Sequence, residues 1–146
     1  MPTRHDDPDL LSKFTGSLVR RAQQRHAAVW LSEVSAEITS VQYAALETLQ
    51  NTPGVNQRQL GEELDVDRST IADLVARMVR NGLIERSDDP ADKRSYVLFL
   101  TAAGKKQLTT LRPRVEEVER ILTAKLTQRE CLELRRLLHA LLPDRV

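Results

Sequence analysis

Apolar residues recur at steps of three and four over residues 9–33, where Leu11, Phe14, Leu18, Ala22 and Val29 share a line with Arg25 and predict one long helix with a packing seam. Trp30 and Leu31 extend its apolar end. After Ile38, Thr39 is a predicted N-cap for a second helix, SVQYAALETLQ, which packs through Tyr43, Leu46 and Leu49 and breaks at Pro53-Gly54. Asn56 caps a predicted third helix, QRQLGEEL, closed after Leu64. Asp65-Val66-Asp67 leads into a fourth that runs to Arg80, with Gly82 suited to the left-handed position past a helix end. Two short helices joined by so tight a turn predict a helix-turn-helix.

The period changes after Gly82. Leu83–Arg86 reads as a strand, SDDPADKRS as a polar loop, and Tyr96–Leu100 as a second strand with Tyr96, Leu98 and Leu100 on one face. A hairpin directly after a helix-turn-helix predicts a wing. Thr101 is the predicted cap of a long helix with apolar positions at Leu108, Leu111, Val115, Val118, Leu122 and Leu126; Pro113 inside it is expected to kink or divide it. Thr127 caps a last helix with a stripe of Leu134, Leu137, Leu138, Leu141 and Leu142.

The expected fold is therefore mainly α with a small β-hairpin wing: a winged helix-turn-helix domain over 36–101, and a helical dimerisation region over 1–35 and 102–146. Both ends are amphipathic with little of their own to pack against, which points to a second copy of the chain. A helical bundle within one chain is the alternative.

The composition narrows the class. A chain of 146 residues holds one domain, or one with an appendage, and 40% hydrophobic with 29% charged residues suits an ordinary globular protein. Aromatics at 3% favour helix over a sandwich or barrel. No apolar run approaches the ~20 residues of a membrane span, and the start MPTRHDDPD lacks the apolar segment of a signal peptide, so no membrane partner is expected. The single cysteine, Cys131, cannot form an internal disulfide, and a reducing cytoplasm is the expected location. Three scattered His residues and one Cys make no metal cage, and no cofactor is expected.

The chemistry concentrates on the fourth helix. On a helical wheel Ile71, Leu74, Val75 and Met78 form a buried side, while Ser69, Asp73, Ala76 and Arg80 lie opposite, flanked by Thr70, Ala72 and Arg77. Arg68 stands at the N-terminal shoulder. A helix in the major groove reads bases with its first turns, where Arg68, Ser69, Thr70 and Asp73 lie; arginine chelates guanine O6 and N7, and hydroxyls bond bases or phosphates. Arg77 and Arg80 suit phosphates. Lys93 and Arg94 sit at the tip of the wing, where a cation can enter the minor groove, and Asp92 is placed to hold the Arg94 guanidinium. Between Pro53 and Ser95 seven bases, Arg58 among them, face nine acids, a balance of −2, so affinity must come from oriented contacts rather than bulk charge.

The segments TSVQYAALETL, NQRQLGEELDVDRSTIADLVARMVRNGLIER and DPADKRSYVLFLTAAG together resemble the multiple-antibiotic-resistance-regulator (MarR) family over about residues 10–142. Asp92, Arg94, Leu100, Thr101 and Gly104 carry the wing signature. The resemblance implies a homodimeric winged helix-turn-helix regulator whose terminal helices interlock. It places Arg68, Ser69, Thr70 and Asp73 at recognition-helix positions and Arg94 at the wing arginine. Asp73 departs from members with a basic or hydroxyl residue there; it accepts from cytosine N4 and repels phosphate. The expected DNA-contacting set is Arg58, Arg68, Ser69, Thr70, Asp73, Arg77, Lys93 and Arg94, on a double-stranded operator.

RRAQQRHAAVW and SEVSAEITSVQYAAL further resemble the branch that represses aromatic-acid catabolism, including hydroxycinnamate degradation, whose inducer is an aromatic acid or its coenzyme A thioester. The expected ligand set is Arg21, Arg25, His26, Trp30 and Tyr43. Cations there suit carboxylate or phosphate, and Trp30 offers a ring for stacking. Two other functions compete. A redox regulator would sense oxidants through Cys131. An enzyme would need a Gly-rich phosphate loop, a GxSxG elbow, an HExxH pair or a Cys-His arrangement; the chain carries none of these motifs, so no enzyme is expected.

Overall fold

The structure, a computed structural model, describes residues 10–144. A 3-10 turn, Leu11–Lys13, precedes α1 (Thr15–Glu33), α2 (Ser40–Asn51), α3 (Gln57–Glu63) and α4 (Arg68–Arg80). The hairpin β1 (Ile84–Asp88) and β2 (Tyr96–Leu100) follows, then α5 (Ala102–Leu122) and α6 (Gln128–Leu141). The fold is mainly α with one antiparallel hairpin, as the pattern predicts.

Side-chain caps start most of these helices, at Thr39, Asn56, Thr101 and Thr127 as the pattern predicts and at Asp67 in addition. Thr39, Asn56, Asp67, Thr101 and Thr127 each accept the backbone N–H three residues on, at 2.8–3.2 Å. Gln42, Gln59 and Glu130 reciprocate by accepting the cap's own N–H. Each such cap stabilises by about 1 kcal/mol.

Four expectations need correction. The helix predicted over 9–33 is divided: Phe14 is extended (φ −104°, ψ 119°) and α1 starts only at Thr15. Phe14 is 60% exposed and precedes Thr15 and Gly16, both weak helix formers, so neither packing nor propensity draws it into the helix. Residue 9 lies outside the described residues. Pro113 does not divide α5, because it and Thr109, whose carbonyl loses its donor, are both exposed. The long helix stops at Leu122 rather than Leu126; Thr123 closes it, and a turn with Leu126 N–H bonded to Thr123 O at 2.9 Å leads to the Thr127 cap. Strand β1 reaches Asp88, opposite Tyr96, because Asp89 N–H to Ser95 O (3.2 Å) keeps the hairpin paired to its loop.

The outer edge of β2 is also occupied. Gly54 N–H bonds Leu98 O at 2.9 Å, Leu98 N–H bonds Val55 O at 3.0 Å, and Asn56 bridges Val97, so the α2–α3 connection serves as a third ply. Gly54 permits this at φ +81°, with the Phe99 ring 3.3 Å from where a Cβ would stand. Beneath lie Leu46, Leu49, Leu60, Val75, Met78, Ile84 and Leu98, all fully buried. Val29, Trp30 and Val34 at the end of α1, and Leu108, Leu111 and Val118 of α5, complete the core. Helix α6 buries no residue. Among the described residues no helix is long and apolar enough to cross a membrane.

Candidate nucleic-acid interface and adjoining aromatic cluster

Helix α4 seats Ile71, Val75 and Met78 in the core and leaves Arg68, Ser69, Thr70, Asp73, Arg77 and Arg80 exposed. It lies close to α3 because Gly61 has no side chain: a Cβ there would stand 3.2 Å from Ile71 Cγ2. The intervening turn holds Asp65 at φ +54° and closes with Val66 N–H to Gly61 O at 3.0 Å. Asp67 accepts Thr70 N–H (2.8 Å) and the Ser69 hydroxyl (3.0 Å). Those bonds, the Thr70 backbone first, hold its carboxyl below the usual range. With its proton committed to Asp67, the Ser69 hydroxyl is left with acceptor lone pairs for a ligand. Thr70, Asp73 and Arg77 also line a shallow groove of about 230 Å³ shared with Thr39 and Gln42.

Arg58 is exposed on α3 and pairs with Glu62 at 3.3 Å. Lys93 and Arg94 are exposed in the wing loop. Asp92 does not hold the Arg94 guanidinium: its Oδ1 accepts the Arg94 backbone N–H at 2.9 Å, and Ser95 N–H bonds Asp92 O at 3.0 Å. Asp89 Oδ1 likewise accepts Ala91 N–H at 2.9 Å. A carboxylate two residues before an N–H closes an Asx turn more readily than it reaches a long, solvated guanidinium. The negative balance of this region is thus partly a folding device, since Glu62, Asp67, Asp89 and Asp92 are all engaged locally.

Of the expected ligand set, Arg21 and Arg25 are exposed on α1, His26 is half-buried, and Trp30 and Tyr43 are buried. The rings of the last three form a ladder, with centroids 6.0 Å apart for His26–Trp30 and 5.8 Å for Trp30–Tyr43. Trp30 Nε1–H is bonded to Ile38 O at 2.8 Å, which leaves the indole ring, not its N–H, for any ligand. Tyr43 donates its hydroxyl to Glu47 at 2.5 Å, and Glu47 takes Arg112 Nε and Nη2 at 3.2 and 3.3 Å. Burial, followed by the Glu47 carboxylate, pushes the Tyr43 phenol up to about 12. Burial alone would raise the Glu47 carboxyl, but the bonds from Arg112 and Tyr43 outweigh it and bring it below its ordinary value. Glu47 and Arg112 were not expected. Tyr43 and Glu47 are one helical turn apart and readable as a pair, whereas Arg112 is 65 residues from Glu47 and nothing local signals it. Cys131 is half-buried in the first turn of α6, one turn before Arg135, whose guanidinium pairs with Glu119. Among the described residues no group of three His, Cys, Asp or Glu could hold a metal.

A helix-turn-helix whose second helix turns an arginine-bearing polar face to solvent, followed at once by a hairpin with a basic tip, defines a winged-helix DNA-binding protein. Residues 38–96 match the MarR family. The transcriptional regulator HosA of Escherichia coli O111:H- is 35% identical over 112 residues, 77% of this chain and 82% of HosA. The PcaV transcriptional regulator from Streptomyces coelicolor, in complex with its natural ligand, superposes with a TM-score of 0.87 at 38% identity, covering 89% of this chain and 92% of PcaV. Bordetella bronchiseptica BpsR, whose DNA binding is regulated by 6-hydroxynicotinic acid, superposes at 0.79 with 25% identity over 86% of this chain and 96% of BpsR. The chain belongs to the MarR family. It is a DNA-binding transcriptional repressor and not an enzyme.

Proposed function

We propose that the protein is a homodimer that represses from a pseudo-palindromic operator and is released by an aromatic acid or its coenzyme A thioester. The observation that carries the ligand reading is the His26–Trp30–Tyr43 ladder, seated where α1 meets α2, with the cations Arg21 and Arg25 on the same helix as its first two rings. The ligand complex of PcaV and the dependence of BpsR on a hydroxylated aromatic acid support it. Tyr43, Glu47 and Arg112 tie α2 to α5, so a ligand that displaces the ladder alters how the winged domain sits on the helices that set its spacing. Release then requires tighter ligand binding to the state with the wrong spacing. A panel of hydroxylated benzoic and cinnamic acids and their thioesters is expected to contain a compound that raises the melting temperature, since ligand at 100 times its Kd stabilises by about 2.7 kcal/mol. The same compound should release an operator duplex. A panel in which no member does either removes the aromatic reading and leaves the repressor.

On DNA, α4 enters the major groove and the wing the minor groove, with half-sites about one turn, ~10 bp, apart. Arg68, Ser69, Thr70 and Asp73 face base edges; Arg58 and Arg77 face phosphates; Lys93 and Arg94 follow the minor groove. Arg68→Ala is expected to cost about 1–3 kcal/mol and to relax preference at particular base pairs. Arg94→Ala should weaken binding to many sequences and lower the salt dependence. Binding titrations over a set of single-base operator variants separate the two, and uniform losses for both substitutions would show that α4 is not the reading helix.

A further inference from the structure

We propose that Arg86, held by the ring of Tyr96, is an additional DNA-backbone contact that links the groove-reading helix to the wing. The guanidinium carbon of Arg86 lies 5.0 Å from the centre of the Tyr96 ring, a cation–π arrangement. Both residues are exposed, Tyr96 by 40%. Among the described residues no carboxylate forms an ion pair with Arg86.

Strand alternation fixes where this cation points. Ile84, Arg86 and Asp88 share one face of the hairpin, and the register sets Ile84 opposite Leu100, Arg86 opposite Leu98 and Asp88 opposite Tyr96. At its base that face enters the core: Ile84 and Leu98 are fully buried, and β1 packs against α4. Two residues further out, about 7 Å along the strand, the same face leaves the core. Arg86 and Tyr96 emerge there, exposed on the two strands that run from the core, next after α4 in the chain, out to the loop bearing Lys93 and Arg94. A duplex whose groove takes up that loop brings its backbone close to these strands.

The ring is the second half of the inference. A free arginine loses rotamer freedom when it docks on a phosphate, a cost that long side chains feel most. Stacking on Tyr96 removes part of that freedom before DNA arrives and leaves the edge N–H groups of the guanidinium open to a phosphate. Tyr96 is thus a positioning residue and Arg86 the contact. The proposal rests on the DNA-facing orientation of α4 and the wing given above.

The test uses the full chain and a duplex recovered from a random library by in vitro selection with the wild-type protein, titrated over a series of KCl concentrations. Arg86→Ala and Arg86→Gln are expected to weaken binding about tenfold and to lower the slope of log K against log salt by about 1, uniformly across base-pair variants. Tyr96→Leu should weaken binding about threefold with the slope unchanged, because the charge remains. Tyr96→Phe keeps the ring and should bind as the wild type does. Thermal melting by circular dichroism checks that each variant is folded, and Arg86→Gln, which keeps the stem, stands in should Arg86→Ala melt early. Wild-type slopes for both Arg86 variants, with Arg94→Ala still impaired, overturn the proposal alone. Wild-type slopes for the Arg86 and Arg94 variants together overturn the orientation on which it rests.

Discussion

The double substitution Leu137→Glu and Leu141→Glu is expected to leave a protein that sediments as a monomer and binds its operator at least ~100-fold more weakly. Helix α6 has well-formed ends, yet it buries no residue within its own chain, and Leu141 is 61% exposed. Leu132, Leu134, Leu137, Leu138 and Leu142 are exposed beside it, as are Leu10, Leu11, Phe14 and Leu18 at the other end of the chain. Burying a leucine stabilises by about 1.5–3 kcal/mol, so two from each protomer form a large part of an interface that resembles a core cut in half. Glutamates there would have to be desolvated, and a repressor that reads a two-fold site loses both half-sites' combined affinity when it dissociates. Analytical ultracentrifugation and operator titration read the two effects separately. If the substituted protein keeps the oligomeric state and affinity of the wild type, the leucine face is a solvated one and forms no dimer interface.

Gly104→Ala is expected to destabilise the fold by about 3 kcal/mol or more, although in an ordinary helix interior the same change stabilises by about 1 kcal/mol. A Cβ at residue 104 would stand 2.2 Å from Leu83 O and 3.2 Å from Leu83 C, backbone atoms with no rotamer to yield. The segment cannot move aside easily. Thr101 N–H also bonds Leu83 O at 3.1 Å and the Thr101 hydroxyl bonds Gly82 O at 2.6 Å, so the first turn of α5 is clamped onto the α4–β1 turn. Gly82→Ala is the control: at φ +75° with nothing within 4 Å of its would-be Cβ, it should cost only about 1–2 kcal/mol of backbone strain. Urea denaturation of the two variants gives the comparison, and equal losses would mean that the close approach at Gly104 relaxes without strain.

The caps at Thr39, Asn56, Thr101 and Thr127, the buried side of α4, the wing and its basic tip were all legible in the sequence, because each rests on residues three or four apart, or alternating, along one segment. The MarR resemblance was legible for the same reason: its motifs are local and occur in order. What the chain does between distant segments was not. The Glu47–Arg112 pair, the close approach of Gly104 to Leu83, the strand-like pairing of Gly54 and Val55 with Leu98, and the seating of Arg86 over Tyr96 all join residues whose proximity only the packed chain creates. Even within the wing, the sequence placed Asp92 beside Arg94 but the folded loop chose which N–H its carboxylate accepts. A periodic pattern specifies which face of an element must be buried; the partner that buries it is set by the tertiary arrangement, where backbone close approach and ion-pair geometry are decided together.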